Sequence, residues 1–217
     1  SNELLPAGLL SNYIHNHLQP GDVIQVKPPA GIFTFNAKEQ RPAALLAGGV
    51  GITPMISMMR EALQTGINDG HLRHTTLIAA AKNAQQRAFF DELNHIEKQS
   101  SGRIRSVWAL SGVSGELTPG HDYHHHGRIS AELLQSVLSF DDYDFYLCGP
   151  GSFVQSMYDL LRKLGAQDKR IFAEEFGPAS LQRDTDTTTE GTKSPPAASQ
   201  AIIEFSDSKV EQAWSEN

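Results

Sequence analysis

The sequence predicts an α/β protein built on a doubly wound, parallel five-stranded sheet. Two observations carry that expectation. From Arg41 onward, short apolar runs of strand length alternate with longer segments whose apolar residues recur at helical spacing. Such alternation implies a parallel sheet covered on both faces. In addition, two of the strand-to-helix junctions, Gly48 to Gly51 and Gly149 to Gly151, are rich in glycine. Glycine at that place lets the backbone turn sharply and come close to a ligand.

Taken in order, Asp22 to Lys27 and Gly31 to Phe35 read as strands around a Pro28-Pro29 turn. Ala43 to Ala47 reads as a short buried strand, and Thr53 to Thr65 as a helix with Met55, Ile56, Met59 and Leu63 on its apolar side. Thr75 to Ala81 is a strand. Asn83 to Lys98 is a helix with Phe89, Phe90, Leu93 and Ile96 on one face. Ile104 to Leu110 is a strand, and Ser130 to Leu138 a helix capped by Ser130. Asp144 to Cys148 is a strand, Ser152 to Leu164 a helix ending at Gly165, and Arg170 to Phe176 the last strand of the sheet.

Composition excludes several classes. Of the 217 residues, 18 are Lys or Arg and 25 are Asp or Glu, a formal charge of −7, which argues against a nucleic-acid partner. No stretch reaches the roughly 20 apolar residues of a membrane-spanning helix; the longest apolar segment, Ala43 to Ile52, is broken by glycines. The one cysteine, Cys148, leaves no internal disulfide and no Cys-built zinc or iron–sulfur site within this sequence. A single thiol suits a reducing compartment, so a cytoplasmic location is expected. Ser1-Asn2-Glu3 is not the basic start of a signal peptide, and without an initiator Met the chain reads as a piece of a longer protein. Residues 183–200, with Thr185 to Thr192 and Pro195-Pro196, are too polar to pack and read as a linker. Ala201 to Phe205 then reads as a strand.

Four segments carry chemistry. Gly48-Gly49-Val50-Gly51-Ile52-Thr53-Pro54 follows a buried strand and opens a helix, with Thr53 as a cap and Pro54 at the first helical position. Free N–H groups and the positive end of the helix dipole make such a junction a phosphate cradle; the bland alternative is a turn that is tight for packing reasons. Leu147-Cys148-Gly149-Pro150-Gly151-Ser152 lies at another strand-to-helix switch, on the ligand-binding edge of an open sheet. Composition alone makes Cys148 a buried structural thiol. Gly8-Leu9-Leu10-Ser11 is a second candidate anion site, or an ordinary helix cap. Glu174-Glu175-Phe176-Gly177-Pro178 places carboxylates beside an aromatic at a strand end, where solvated charges are also commonplace. The run His121, His124, His125 and His126 reads as a solvated connection, because consecutive histidines diverge; no metal site is expected.

In this order and at these separations, the four segments resemble the ferredoxin–NADP reductase superfamily, and within it the reductase modules of oxygenases and flavohaemoglobins. The resemblance covers residues 8–182. It implies a ferredoxin-reductase-type nucleotide-binding domain at 41–182, preceded at 3–40 by the tail of a flavin-binding β-barrel. The superfamily's earlier Arg-x-Tyr-Ser flavin motif is not in this chain. Residues 201–217 are similar to the opening of a plant-type [2Fe–2S] ferredoxin domain. The implied cofactors are NAD(P)H, FAD or FMN, and a [2Fe–2S] cluster in the full-length protein. The implied partner is a ferredoxin-like domain or an oxygenase that accepts the electrons.

The same resemblance assigns roles. Gly8 and Ser11 would hold the flavin pyrophosphate. Gly48, Gly49, Gly51 and Thr53 would meet the dinucleotide pyrophosphate and nicotinamide. Val50, Pro54, Lys82, Ser111, Gly149 and Pro150 complete the cofactor-binding set. Cys148 and Glu174 would position the reacting rings, with Cys148 near the hydride-donating carbon, and Phe176 would cover the flavin. The expected function is electron transfer, as hydride from NAD(P)H to flavin and then as single electrons to an iron–sulfur centre. A haem acceptor and a non-catalytic nucleotide-binding domain are the alternatives. The likeness to oxygenase reductases leans to NADH. Lys82 and Arg87, with no carboxylate in Ala81 to Arg87, suit a 2′-phosphate instead, or are solvated helix-start charges. Without the full barrel, this piece alone is expected to bind flavin poorly and to be inactive.

Overall fold

A computed structural model of the chain describes residues 9–26, 28, 30–113, 115–177, 180–184, 201–205 and 210–214. A first helix, α1 (Leu9–His17), precedes the sheet, and its residues from Asn12 to His17 are exposed. The sheet then forms from β1 (Ala43–Gly48), β2 (Thr75–Ala81), β3 (Ile104–Leu110), β4 (His125–His126), β5 (Asp144–Pro150) and β6 (Ile171–Phe176). Its strand order is β4-β3-β2-β1-β5-β6, and every pairing is parallel. All six residues of β1 are buried, as a central strand covered on both faces requires.

Two apolar cores lie on opposite faces. Helices α2 (Ile52–Asp69) and α3 (Phe90–Gln99) bring Met55, Ile56, Met59, Leu93 and Ile96 against Leu45, Leu77 and Trp108. Helices α4 (Ala131–Val137) and α5 (Gly151–Lys163) bring Leu133, Leu134, Val154 and Leu161 against Leu46, Ile78 and Leu147. The crossovers from β1 and from β5 therefore run to opposite faces, which places the topological switch point between those two strands.

The five expected strands and four expected helices of this unit are all present, with local differences. The sheet gains a short sixth strand, β4, from the histidine run. His125 and His126 pair with Ala109 and Leu110, and the His124 N–H donates to the Trp108 carbonyl at 2.9 Å. Backbone pairing with an open sheet edge does not depend on side-chain type, so the run is not merely a loop. Among the described residues no cluster of His, Cys, Asp or Glu is placed to hold a metal. The expected Asn83-to-Lys98 helix splits into a 3₁₀ turn (Ala84–Gln86) and α3, with Phe89 between them at φ 61°. Met58, which helical spacing left outside the core, is buried.

The segments Asp22 to Lys27 and Gly31 to Phe35 form no strand among the described residues. No neighbouring strand offers them hydrogen bonds, and an isolated extended segment is not stable as sheet. Val23, Val26 and Ile32 are left exposed. Phe33 and Phe35 instead pack edge-on against Tyr146, which stacks on Phe172. The chain is anchored there by Arg73, whose side chain is fully buried. Its guanidinium donates to the Asn36 carbonyl (2.8 Å), the Arg41 carbonyl (2.7 Å) and Asp144 Oδ2 (2.6 Å), and it lies 4.8 Å from the Phe35 ring centroid.

Beyond β6, Arg183 binds Asp168 and the Ile171 carbonyl, and the Asp184 N–H donates to Tyr158 Oη at 2.9 Å. Residues 183 and 184, expected in the linker, are thus fastened to the domain. Strands β7 (Ala201–Phe205) and β8 (Val210–Trp214) pair antiparallel as a separate two-stranded sheet. No helix among the described residues is long and apolar enough to cross a membrane.

Candidate functional site

The two glycine-rich junctions meet at the carboxyl edge of the sheet. β1 and β5 are neighbours, and Ala47 pairs with Cys148. Just beyond, Gly51 passes beneath the Cys148 carbonyl so closely that a Cβ there would lie 2.0 Å from that oxygen. Gly49 is different: it has φ +55° and nothing within 4 Å of its Cβ direction. Gly51 is therefore glycine because of packing, and Gly49 because of its backbone conformation, with open space in front of it.

The helical path starts earlier than the sequence suggests. A 3₁₀ turn (Gly49–Gly51) leads directly into α2, so Thr53 and Pro54 lie within the first turn of α2. Thr53 does not cap; its hydroxyl donates to the Val50 carbonyl at 3.0 Å. The two cap positions, Gly48 and Gly51, carry no side chain, so among the described residues neither start has a side-chain cap for its N–H groups. A phosphate group suits such a turn.

Two clefts open on either side of this crossing. One, of about 540 Å³, is lined by Thr53, Pro54, Cys148, Glu174 and Phe176 from the sheet side and by Ala30, Gly31, Phe33 and Thr34 from the anchored segment. Parallel pairing explains the cluster, because Cys148 pairs with Glu174 and Pro150 with Phe176 across β5 and β6. Cys148 is buried in the apolar core beneath the cleft. Burial, reinforced by the nearby Glu174 carboxylate, pushes its thiol up to about 11, so it is a neutral S–H at ordinary pH. A neutral, buried thiol is a packing surface and a weak donor, not a nucleophile.

The second cleft, of about 570 Å³, takes Gly48, Gly49, Lys82, Ser111 and Pro150 among its walls. Gln86, Arg128, Phe153 and Met157 also line it, and among the described residues no Asp or Glu does. Lys82 and Arg128 are exposed at the rim. Arg87 is not available there. Its guanidinium lies 3.7 Å from the Phe90 ring centroid and is bonded to the carbonyls of Ala84 and Asp122, so it is not a solvated charge, and it does not line this cleft.

The structure thus gathers most of the expected site residues along one edge. Cys148, Glu174, Phe176, Thr53 and Pro54 share one cleft, Gly48, Gly49, Lys82, Ser111 and Pro150 share the other, and Gly51 and Gly149 form the crossing between them. Val50 is exposed and lines neither cleft. Gly8 and Pro178 lie outside the described residues, and Ser11 lies on α1. Sequence reasoning misses Arg128. Its signal is its place directly after β4, a strand hidden by its histidines.

A sheet that changes winding direction over a glycine-lined crossing, with a cleft on each side, is the arrangement in which open α/β sheets take dinucleotides. The chain belongs to the oxidoreductase NAD-binding domain family, which matches residues 45–159. It is 36 % identical over 176 residues to a flavohemoprotein of Bordetella pertussis, covering 81 % of this chain and 42 % of that protein. The chain therefore spans less than half the length of such relatives. Among solved structures, it superposes on the flavohem-like FAD/NAD-binding domain of nitric oxide dioxygenase from Vibrio cholerae with a TM-score of 0.65 at 30 % identity, covering 79 % of this chain and 65 % of that one. The Amycolatopsis cytochrome P450 reductase GcoB shares the fold, with a TM-score of 0.62 at 24 % identity over 78 % of this chain and 49 % of that one. The fold is that of ferredoxin-reductase-like nucleotide-binding domains, as the sequence predicts.

Proposed function

We propose that this chain is the dinucleotide-binding part of an NAD(P)H-dependent flavin reductase that feeds electrons to an acceptor domain. One observation carries the reading: the clefts around Cys148 and around Lys82 open on opposite sides of the Gly51–Cys148 crossing. A dinucleotide has two ring systems joined by a diphosphate, and that is the shape this edge fits. The dinucleotide supplies a hydride, and a flavin takes both electrons and releases them singly.

The chain's own residues place and shield the reacting rings. The open space before Gly49 and the uncapped turn behind it suit the diphosphate. Lys82, Ser111 and Arg128 suit the adenosine end. Thr53, Cys148 and Glu174 suit the nicotinamide, with the protonated thiol excluding water without competing as a nucleophile. Phe176, nearly half exposed beside this cleft, suits contact with a flavin. The flavin site itself would be completed by a barrel to which residues 3–40 contribute, and the exposed Val23, Val26 and Ile32 suit burial against its strands.

A haem is the acceptor favoured by the likeness to flavohemoproteins. The alternative is a [2Fe–2S] cluster, supported by the β7–β8 hairpin where a ferredoxin-like domain would open. With one cysteine in the chain, such a cluster would take its thiolates from residues outside this sequence. Titration of the chain with NADH and with NADPH, followed by calorimetry, tests the core of the reading. Saturable one-to-one binding is expected, and no binding of either at millimolar concentration would refute it. Dye reduction by the flavin-loaded full-length protein separates a reductase from a non-catalytic nucleotide binder.

A further inference from the structure

Phe153 is the third residue of α5, directly after the Gly149–Pro150 bend. It is partly buried and packs against the core on the α4 and α5 face, and its ring reaches the sheet edge where β1 and β5 part. A Cβ on Gly48 would lie 2.7 Å from Phe153 Cγ, and a Cβ on Gly149 would lie 2.9 Å from Phe153 Cδ1 and 3.0 Å from the Gly48 carbonyl. The Phe153 ring therefore covers the place a side chain would take on Gly48, and it shares that role at Gly149 with the Gly48 backbone and a φ of +155°. The ring sits in the gap at the switch point, where open α/β sheets take their ligands.

We infer that Phe153 is a positioning residue: its ring is the spacer that fixes the first glycine loop relative to the second. A planar ring resting on two backbones that touch at Gly48 and Gly149, neither of which carries a side chain, holds the tilt of one loop against the other. A ligand that bridges the loops depends on that arrangement. A ligand confined to the Lys82, Ser111 and Arg128 side does not, although the same ring lines that cleft. Holding the loops in place before binding lowers the ordering cost of the bridging ligand alone. This inference rests on the dinucleotide reading above.

The test compares NAD(P)H with 5′-AMP on Phe153→Ala and Phe153→Leu in the full chain, with thermal unfolding measured alongside. Phe153→Ala is expected to weaken the dinucleotide on the order of tenfold while AMP changes by less than about threefold, because small misplacements of a bridging site are costly. Phe153→Leu keeps most of the bulk and should restore most of the dinucleotide affinity, which keeps the test valid if the alanine variant does not fold. Gly48→Ala should weaken dinucleotide binding in the natural background and much less beside Phe153→Ala, since the added methyl then enters vacated space. Equal weakening of AMP and dinucleotide, or no weakening of either, would overturn the spacer role. Failure of the unmutated chain to bind any dinucleotide would instead overturn the reading on which it rests.

Discussion

Gly51 lies directly beneath the Cys148 carbonyl, with its Cβ direction aimed at that oxygen from 2.0 Å. The contact joins two bends that are 97 residues apart in sequence and makes one edge of two junctions. It also separates glycines that look alike in sequence. Gly51→Ala should destabilise the fold by about 1–3 kcal/mol, because the neighbour is rigid backbone. Urea unfolding measures this, and a variant as stable as the natural chain would contradict the crossing.

Gly49→Val should behave differently. The φ of +55° costs a non-glycine residue about 1–2 kcal/mol, but nothing lies within 4 Å of the new Cβ. Its main effect should be on ligand approach: dinucleotide affinity is expected to fall more than tenfold, by about the loss that one or two hydrogen bonds to a charged group would cause. Calorimetry on a folded variant checks this.

Cys148 should be inert at ordinary pH. Its thiol is pushed from 9.0 up to about 11, mainly by burial. At pH 8 its alkylation by iodoacetamide should run on the order of a hundredfold slower in the folded chain than in urea, since two pKa units separate the thiolate fractions. The sign for stability follows from the same shift. The folded state holds the proton more tightly, so this contribution is complete below about pH 9 and is lost as pH rises through about 11. Midpoints of urea unfolding between pH 8 and 11 provide the check.

Lys82→Ala and Arg128→Ala should each weaken NADPH more than NADH, by about three- to tenfold at low salt, with the effect shrinking as salt rises. Arg87→Ala should leave both affinities within about twofold. Its loss removes the contact with Phe90 and two carbonyl bonds, so it should lower stability by about 1–2 kcal/mol instead. Paired binding and unfolding curves distinguish the two groups of variants.

Arg73→Ala should cost about 3 kcal/mol, because it strips three hydrogen bonds from a fully buried site. Asp144 keeps Arg41 and Arg170 as partners, which limits the loss. Release of residues 33–42 should also speed hydrogen exchange at the amides near Phe35.

The alternating pattern after Arg41 was enough to determine the parallel sheet, its two apolar faces and the edge on which function would lie. Strand and helix periods are local properties, and Leu45, Leu77 or Val154 report them without their neighbours. The glycines at 48–51 and 149 marked both bends for the same reason. What each glycine is for was decided only by the folded backbone and its contacts: Cys148 O over Gly51, the Phe153 ring over Gly48 and Gly149, and a φ of +55° facing open space at Gly49. The same holds for Arg87, whose charge looked available until Phe90 and Asp122 enclosed it, and for Arg128, carried to the cleft by a strand of two histidines. The segments around Pro28 read as strands because they have strand composition. A strand, however, is a relation between two chains, and no neighbour among the described residues supplies the second.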